Sequence, residues 1–140
     1  MFVLKPSAEA GGDPCAKVVG DDGNLCARVV EPGAEINAVH IERVTDLLSD
    51  GRAFQSSAPK CFEPSHALVF YNEKGVPIGW SQISMSCGSL TARPALTGIA
   101  RSGDQYSISS AAFSYLRGLC KTLKLSACEP ASPAAPHKMP

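Results

Sequence analysis

The sequence carries no excess of charge of either sign and no long apolar run. Its 140 residues contain 13 lysines and arginines against 13 aspartates and glutamates, so the formal net charge is zero. A neutral chain lacks the electrostatic attraction that holds nucleic acids or anionic membranes, so we expect neither partner. No apolar stretch approaches the roughly 20 residues that span a bilayer. The apolar fraction of 44% predicts a globular chain, and the length suits one domain.

Several motifs with a defined chemistry are also missing. Gly11-Gly12-Asp13-Pro14 lacks the lysine and the following helix of a phosphate-binding loop. No serine lies in the G-x-S-x-G elbow of serine hydrolases. The cysteines form no C-x-x-C pair, which argues against a zinc ribbon and a thioredoxin-like site. We predict no cofactor and no metal site, and these absences favour, without establishing, a protein that is not an enzyme.

What the chain does contain is an even number of cysteines: Cys15, Cys26, Cys61, Cys87, Cys120 and Cys128. Isolated cysteines of this number in a short chain are typical of up to three disulfides formed in an oxidising compartment. No signal peptide is visible, because the apolar stretch at residues 1–4 ends at Lys5. We therefore expect a periplasmic or extracellular protein whose targeting segment is absent from this chain. The alternative is a protein that is not exported and has six buried thiols.

Composition divides the chain into three segments. Residues 1–14 are rich in Ala, Gly, Pro and Ser without periodicity and predict a flexible leader. Residues 129–140 contain four prolines and predict a solvated tail with polyproline character, whose role stays open. The folded domain is then 15–128.

Hydrophobic periodicity predicts two helices, at about 36–49 and 108–124. Ser107 is the expected N-cap of the second helix. Five apolar residues share one face of the first helix, namely Ile36, Val39, Val44, Leu47 and Leu48. His40 lies within this face, and we interpret it as a core or boundary histidine with one hydrogen-bond partner rather than a catalytic base or ligand.

Turn residues predict two hairpins. Asp22-Gly23 favours a two-residue turn between strands at 16–19 and 25–30. Asn72-Glu73-Lys74-Gly75 favours a G1-bulge turn that closes Asn72 on Val76. Continued without interruption, this second register sets Cys61 opposite Cys87, although Pro64 is expected to break the ladder before it reaches the cysteines.

The same register assigns the side chains of the central hairpin to two faces. Leu68, Phe70, Ile78 and Trp80 share one face, with His66 opposite Gln82 at its far end. The other face is also largely apolar, so we expect a helix to cover one side and loops to cover part of the other. The predicted fold is a single small α+β domain: a central antiparallel hairpin or sheet, an N-terminal hairpin and two packing helices, stapled by disulfides.

The disulfide pairing follows in part from these elements. Cys61–Cys87 is favoured by the hairpin, and Cys120–Cys128 by a chain that turns back after the second helix. Cys15–Cys26 remains by elimination, but a two-residue turn at Asp22-Gly23 would offset these cysteines by roughly 13 Å, too far for a disulfide. The connectivity therefore stays open among the alternatives.

The segment Cys61-x-x-Pro64-x-His66-Ala67-x-Val69-Phe70-Tyr71 and its return strand resemble a family of small uncharacterised bacterial exported proteins. In that family a Cys-x-x-Pro-Arg-His/Asn strand opens a hairpin that closes on Ile-Cys-Phe-x-Cys. This chain departs from the pattern at Ser65, where Arg is common, and at Ser84, where the first Cys of the closing pair would stand. The resemblance implies a fold but no established activity.

The function that we predict is a small exported protein-binding module whose partner is another protein; an inhibitor and an immunity-type protein are examples of such a module. The candidate interface residues are Phe62, His66, Tyr71, Trp80 and Gln82, because aromatic side chains are common in interface cores. The partner and the oligomeric state stay open.

Two alternatives involve chemistry around the hairpin. In a Cys/His-dependent hydrolase, His66 would activate a free thiol at Cys87 or Cys61, and Gln82 would orient the ring. In a metal site, Cys61, His66 and Cys87 would be joined by His40 or Cys15, although this spacing does not match structural zinc sites.

Overall fold

The computed structural model describes residues 1–4, 17–30, 32–55, 61–99 and 101–129. The elements within these ranges are β1 (Phe2–Leu4), β2 (Val29–Val30), α1 (Ala38–Ser49), β3 (Phe54–Gln55), β4 (His66–Tyr71), β5 (Pro77–Ser84), β6 (Ser89–Thr91), β7 (Gln105–Ile108) and α2 (Ser110–Thr122). The strands form one antiparallel sheet in the order β2-β1-β4-β5-β6-β7-β3. The predicted class, a single α+β domain, is confirmed. No helix in the described ranges is long and apolar enough to cross a membrane.

Both helices lie within the predicted ranges and begin at side-chain caps. Asn37 accepts a hydrogen bond from the backbone N–H of His40 at 3.0 Å, which starts α1. Ser109 accepts one from the N–H of Ala112 at 3.2 Å and starts α2. The predicted cap at Ser107 is wrong because this residue belongs to β7, where it pairs with β3 and β6.

Both faces of the sheet are covered, as the apolar faces of the central hairpin predict. One cluster joins both helices to the sheet; its members include Val44, Leu68, Ile83, Leu90, Tyr106, Leu116 and Leu119. A smaller cluster on the opposite face contains Leu4, Val18, Val29, Ala67 and Trp80. Val39 was expected in the core but is 59% exposed, because α1 packs through Val44 and the residues that follow it.

The central hairpin has the predicted turn but not the predicted register beyond it. The N–H of Asn72 donates to the carbonyl of Val76 at 2.9 Å, and Tyr71 pairs with Pro77. A β-bulge follows, so Phe70 pairs with Gly79 rather than with the residue before it. One inserted residue moves every later side chain to the opposite face, because strand side chains alternate.

Because of the bulge, two predicted side-chain placements are wrong. Trp80 lies opposite Val69 and not on the face of Leu68, and His66 lies opposite Ile83 instead of Gln82. The residues around the turn therefore pair as the local sequence predicts. The rest of the ladder has the register that buries the indole ring of Trp80.

The first residues of the chain belong to the sheet. Phe2–Leu4 form β1, which pairs with β2 on one side and with β4 on the other. Met1 and Leu4 are buried, so for residues 1–4 the burial of apolar side chains outweighs the loop-like composition of the surrounding sequence. Residues 5–14 and the tail at 130–140 lie outside the described residues.

The N-terminal hairpin is much shorter than predicted. Gly23 has a φ of 80° as the turn requires, but the N–H of Gly20 bonds to the carbonyl of Asn24, which closes a three-residue loop. Val19 and Leu25 form an isolated bridge, and β2 pairs with β1. The predicted register is wrong by one residue because the loop has three residues instead of two, and β1 pairs with β2 where the first arm was expected.

Candidate functional site

The predicted disulfide between Cys61 and Cys87 is confirmed, with 5.6 Å between the Cα atoms. It lies beyond the paired part of the hairpin, because β4 begins at His66, after Pro64. Ser84 holds the two ends together: its Oγ accepts hydrogen bonds from the N–H groups of Glu63 and Cys87, each at 3.2 Å. Ser84 thus orders the segment around the disulfide.

The second predicted disulfide, Cys120–Cys128, is also confirmed, with Cα atoms 5.6 Å apart. After α2 the chain turns back through Lys124, whose φ is 58°, and the N–H of Leu125 bonds to the carbonyl of Cys120 at 3.1 Å. Cys26 is disulfide-bonded. Cys15 lies outside the described residues, so the Cys15–Cys26 pairing stays a prediction.

His66 lies at the start of β4 and is fully buried. Its Nδ1 is 2.8 Å from Ser65 Oγ, and its Nε2 is 2.9 Å from the carbonyl oxygen of Ser126. Burial lowers the pKa of His66, and the hydrogen bond to Ser126 partly opposes that effect. The ring is therefore neutral near pH 7. Its two hydrogen bonds link the first residues of β4 to the turn after α2.

The residues of the hydrolase alternative do not come together as that alternative requires. Cys61 and Cys87 are bonded to each other, whereas the sulfur of Cys120 lies 3.3 Å from His66 Nε2. Sequence reasoning missed this neighbour because 54 residues separate His66 from Cys120. The signal that was available is the shared apolar face of α2, on which Cys120 follows Leu116.

The residues proposed as ligands in the metal alternative do not come together either. His40 was its proposed fourth ligand, but its Nδ1 is 3.0 Å from the hydroxyl of Tyr115, between α1 and α2. This is the single hydrogen-bond partner that the sequence predicts for a boundary histidine. Cys15, the other proposed ligand, lies outside the described residues.

The candidate interface residues differ in their accessibility. His66, Trp80 and Gln82 are buried, and Phe62 is half-buried. Tyr71, at the end of β4, is 46% exposed. Among these five residues, Tyr71 therefore offers the largest accessible fraction to a partner.

Tyr71 borders an apolar groove between α1 and the outer end of β4, which we call the α1–β4 groove. Its volume is about 480 Å³, and the side chains that line it include Ile36, Ile41, Val44, Leu68, Phe70 and Tyr71. Ile41 is 47% exposed at its rim. Glu35 supplies the charged side chain of the lining. Sequence reasoning missed Ile41 because it lies outside the predicted apolar face of α1.

The groove runs along a part of β4 that pairs with β5 on one side and with no described strand on the other. β1 pairs with β4 at Ala67 and His66, whereas β5 pairs along the whole strand. No described strand pairs with Val69 or Phe70 on the β1 side. The floor of the groove is therefore next to a length of β4 that no described strand extends on that side, and an unpaired strand edge is a surface that another chain can extend.

Comparison with protein-family models, with curated proteins and with solved structures found no match to this chain. The resemblance to the exported bacterial family stays a prediction.

Proposed function

We propose that this protein is a binding module that takes an extended segment of a partner protein into the α1–β4 groove. The observation that carries the proposal is the apolar groove beside the unextended part of β4, around Val69 and Phe70. Strand addition at such an edge provides main-chain hydrogen bonds, while a neighbouring groove selects alternate side chains. The sequence-based expectation of a protein-binding module supports the same function.

The lining of the groove defines the chemistry of the bound segment. Ile36, Ile41 and Phe70 favour apolar side chains at alternate positions, because only every second side chain of a strand points to one face. Glu35 is exposed at the groove and favours a lysine or arginine at one end of the segment. The proposed ligand is therefore an extended apolar segment with one basic residue.

We further propose that the module works in the periplasm or outside the cell. Two disulfides join described residues, and disulfides persist in oxidising compartments. An inhibitor or immunity role fits a small disulfide-bonded domain with an apolar groove. The Cys/His hydrolase is not favoured, because Cys87 is bonded to Cys61.

The experiment is a selection from displayed random peptides of roughly 10 residues, which is long enough for one strand. We expect enriched peptides to carry apolar residues at alternate positions and a basic residue near one end. Ile41→Asp should weaken their binding by at least about tenfold, because it places a charge in the apolar rim. Glu35→Lys should shift the selected charge from basic to acidic.

Val39→Asp is the matched control. Val39 lies on α1, two residues before Ile41, and is 59% exposed, but it does not line the groove. Binding of the selected peptides should be the same in this variant as in the unchanged protein. The proposal is wrong if no common pattern emerges, or if Ile41→Asp and Val39→Asp bind the selected peptides equally well.

A further inference from the structure

Four atoms that commonly bind metals meet at the end of α2. His66 Nε2, Cys120 Sγ and Cys128 Sγ all lie within 4.8 Å of one another, and all three residues are buried. The carbonyl oxygen of Ser126 is 2.9 Å from His66 Nε2, 4.0 Å from Cys120 Sγ and 3.9 Å from Cys128 Sγ. One nitrogen, two sulfurs and one oxygen therefore surround a common point inside the fold.

These distances resemble the edges of a small tetrahedron. A Zn²⁺ ion with Zn–S of about 2.3 Å and Zn–N of about 2.0 Å separates its ligand atoms by roughly 3.3–3.8 Å. The separation of Cys120 Sγ from His66 Nε2 is 3.3 Å. The edge that departs most from this range is the disulfide bond itself, whose sulfur atoms would have to move apart by about 1.7 Å.

We propose that reduction of the Cys120–Cys128 disulfide creates a site for a soft divalent cation of the Zn²⁺ class. Its ligands are Cys120 Sγ, Cys128 Sγ and His66 Nε2, with the carbonyl oxygen of Ser126 in the fourth position. This ligand set differs from the one that the sequence suggested around Cys61 and Cys87. The site makes metal binding conditional on the redox state of one disulfide.

The reduction step needs a dithiol as the reductant. The dithiol gives two electrons and two protons to the disulfide and becomes a cyclic or intermolecular disulfide itself, while Cys120 and Cys128 become thiols. The cation then replaces the two thiol protons, which pass to solvent, and forms two metal–thiolate bonds.

Ser65 can form a hydrogen bond with His66 Nδ1 both in the oxidised protein and in the metal-bound protein, because its hydroxyl can donate or accept. In the oxidised protein, an Nε2–H group donates to Ser126, and Nδ1 accepts a hydrogen bond from Ser65 Oγ at 2.8 Å. In the metal-bound state, Nε2 binds the cation and the proton lies on Nδ1, where Ser65 Oγ accepts it. The Ser65 hydroxyl then donates to the carbonyl of Ile83, 3.4 Å away. A histidine ligand of this kind normally needs such a partner on its second nitrogen.

The test uses Cd²⁺, whose thiolate charge-transfer absorption reports sulfur binding. The full chain is reduced with a dithiol, freed from it under anaerobic conditions and titrated. We expect a site that releases two protons per cation, and ¹¹³Cd–¹H coupling to the ring protons of His66. His66→Asn should weaken this site by roughly 10–100-fold. The double variant Cys61→Ser, Cys87→Ser is the control and should retain it.

Three results would overturn the proposal. They are no tight Cd²⁺ binding to the reduced protein, equal affinity in His66→Asn, or a bound ¹¹³Cd without coupling to His66. If reduction unfolds the chain, Cd²⁺ should restore the native circular dichroism of the control variant but not that of Cys120→Ser, Cys128→Ser. Failure to restore it in the control also contradicts the proposal.

Discussion

Trp80 lies opposite Val69 in the ladder between β4 and β5. This pairing turns the indole into the smaller core cluster, with Leu4 and Val18, on the face away from the helices. The register set by the turn alone would place Trp80 across from Leu68, on the face that the helices cover. The inserted residue at the bulge, Ile78, therefore decides which side of the sheet is filled by the largest side chain of the hairpin.

Because of the bulge, we expect truncation of Trp80 and truncation of Ile78 to have different effects on stability, although the uninterrupted register puts both side chains on one face. Trp80→Ala should lower the free energy of unfolding by about 3–5 kcal/mol, because Trp80 is 9% exposed and leaves a cavity. Ile78→Ala should change it by less than about 0.5 kcal/mol, since Ile78 is 62% exposed. Urea denaturation of both variants measures the difference; equal losses would contradict the observed register.

Gly79 is needed because a neighbouring backbone comes close to it. A Cβ atom there would lie 2.9 Å from the carbonyl oxygen of Arg93, which accepts a hydrogen bond from the N–H of Trp80. We expect Gly79→Ala to cost about 1–3 kcal/mol of unfolding free energy through overpacking. Gly51→Ala is the control, since nothing lies within 4 Å of its Cβ position, and it should be neutral or slightly stabilising. Thermal unfolding that ranks the two the other way would refute this account.

Lys124 occupies a backbone conformation that favours glycine. Its φ of 58° lies in the left-handed region, where it ends α2 by turning the chain toward Cys128. Lys124→Gly should therefore raise the free energy of unfolding by about 0.5–1 kcal/mol. Ser114→Gly, at an exposed position inside α2, should lower it by roughly 0.5 kcal/mol. Guanidinium denaturation of the oxidised variants distinguishes the signs, and a loss of stability in Lys124→Gly would exclude this explanation.

His66 should make the stability of the oxidised protein depend on pH. Because burial lowers its pKa from the ordinary value of 6.5, the unfolded chain binds a proton at a pH where the folded protein does not. The free energy of unfolding should therefore fall as the pH falls from 6.5 toward the pKa of the folded state. The groups in contact with the ring, namely Ser65, Ser126 and the Cys120–Cys128 disulfide, do not titrate in this range.

The check is a series of denaturation curves at different pH values with the disulfides intact. His66→Gln should reduce the slope of stability against pH in the window below 6.5, whatever its effect on stability at neutral pH. An unchanged slope in this variant would mean that another group produces the dependence.

Much of the fold was predictable because its signals are local. Both helices follow from apolar periodicity, and the central turn follows from Asn72 and Gly75. The confirmed disulfides close loops whose ends lie 26 and 8 residues apart, so a hairpin and a helix end were enough to predict them. The candidate site was less predictable: Tyr71 was named, but the groove also needs α1, which lies far from it in sequence.

The sequence by itself determined the central turn, the helices, the α+β class and two cysteine pairs, because each depends on backbone preferences or on short loops. Only the tertiary structure decided the register beyond the bulge, the place of β1 inside the sheet, and the contact of His66 with Cys120. These features depend on competition between distant apolar side chains for burial. The even cysteine count thus predicted the bonds, while packing decided that a buried histidine would lie against one of them.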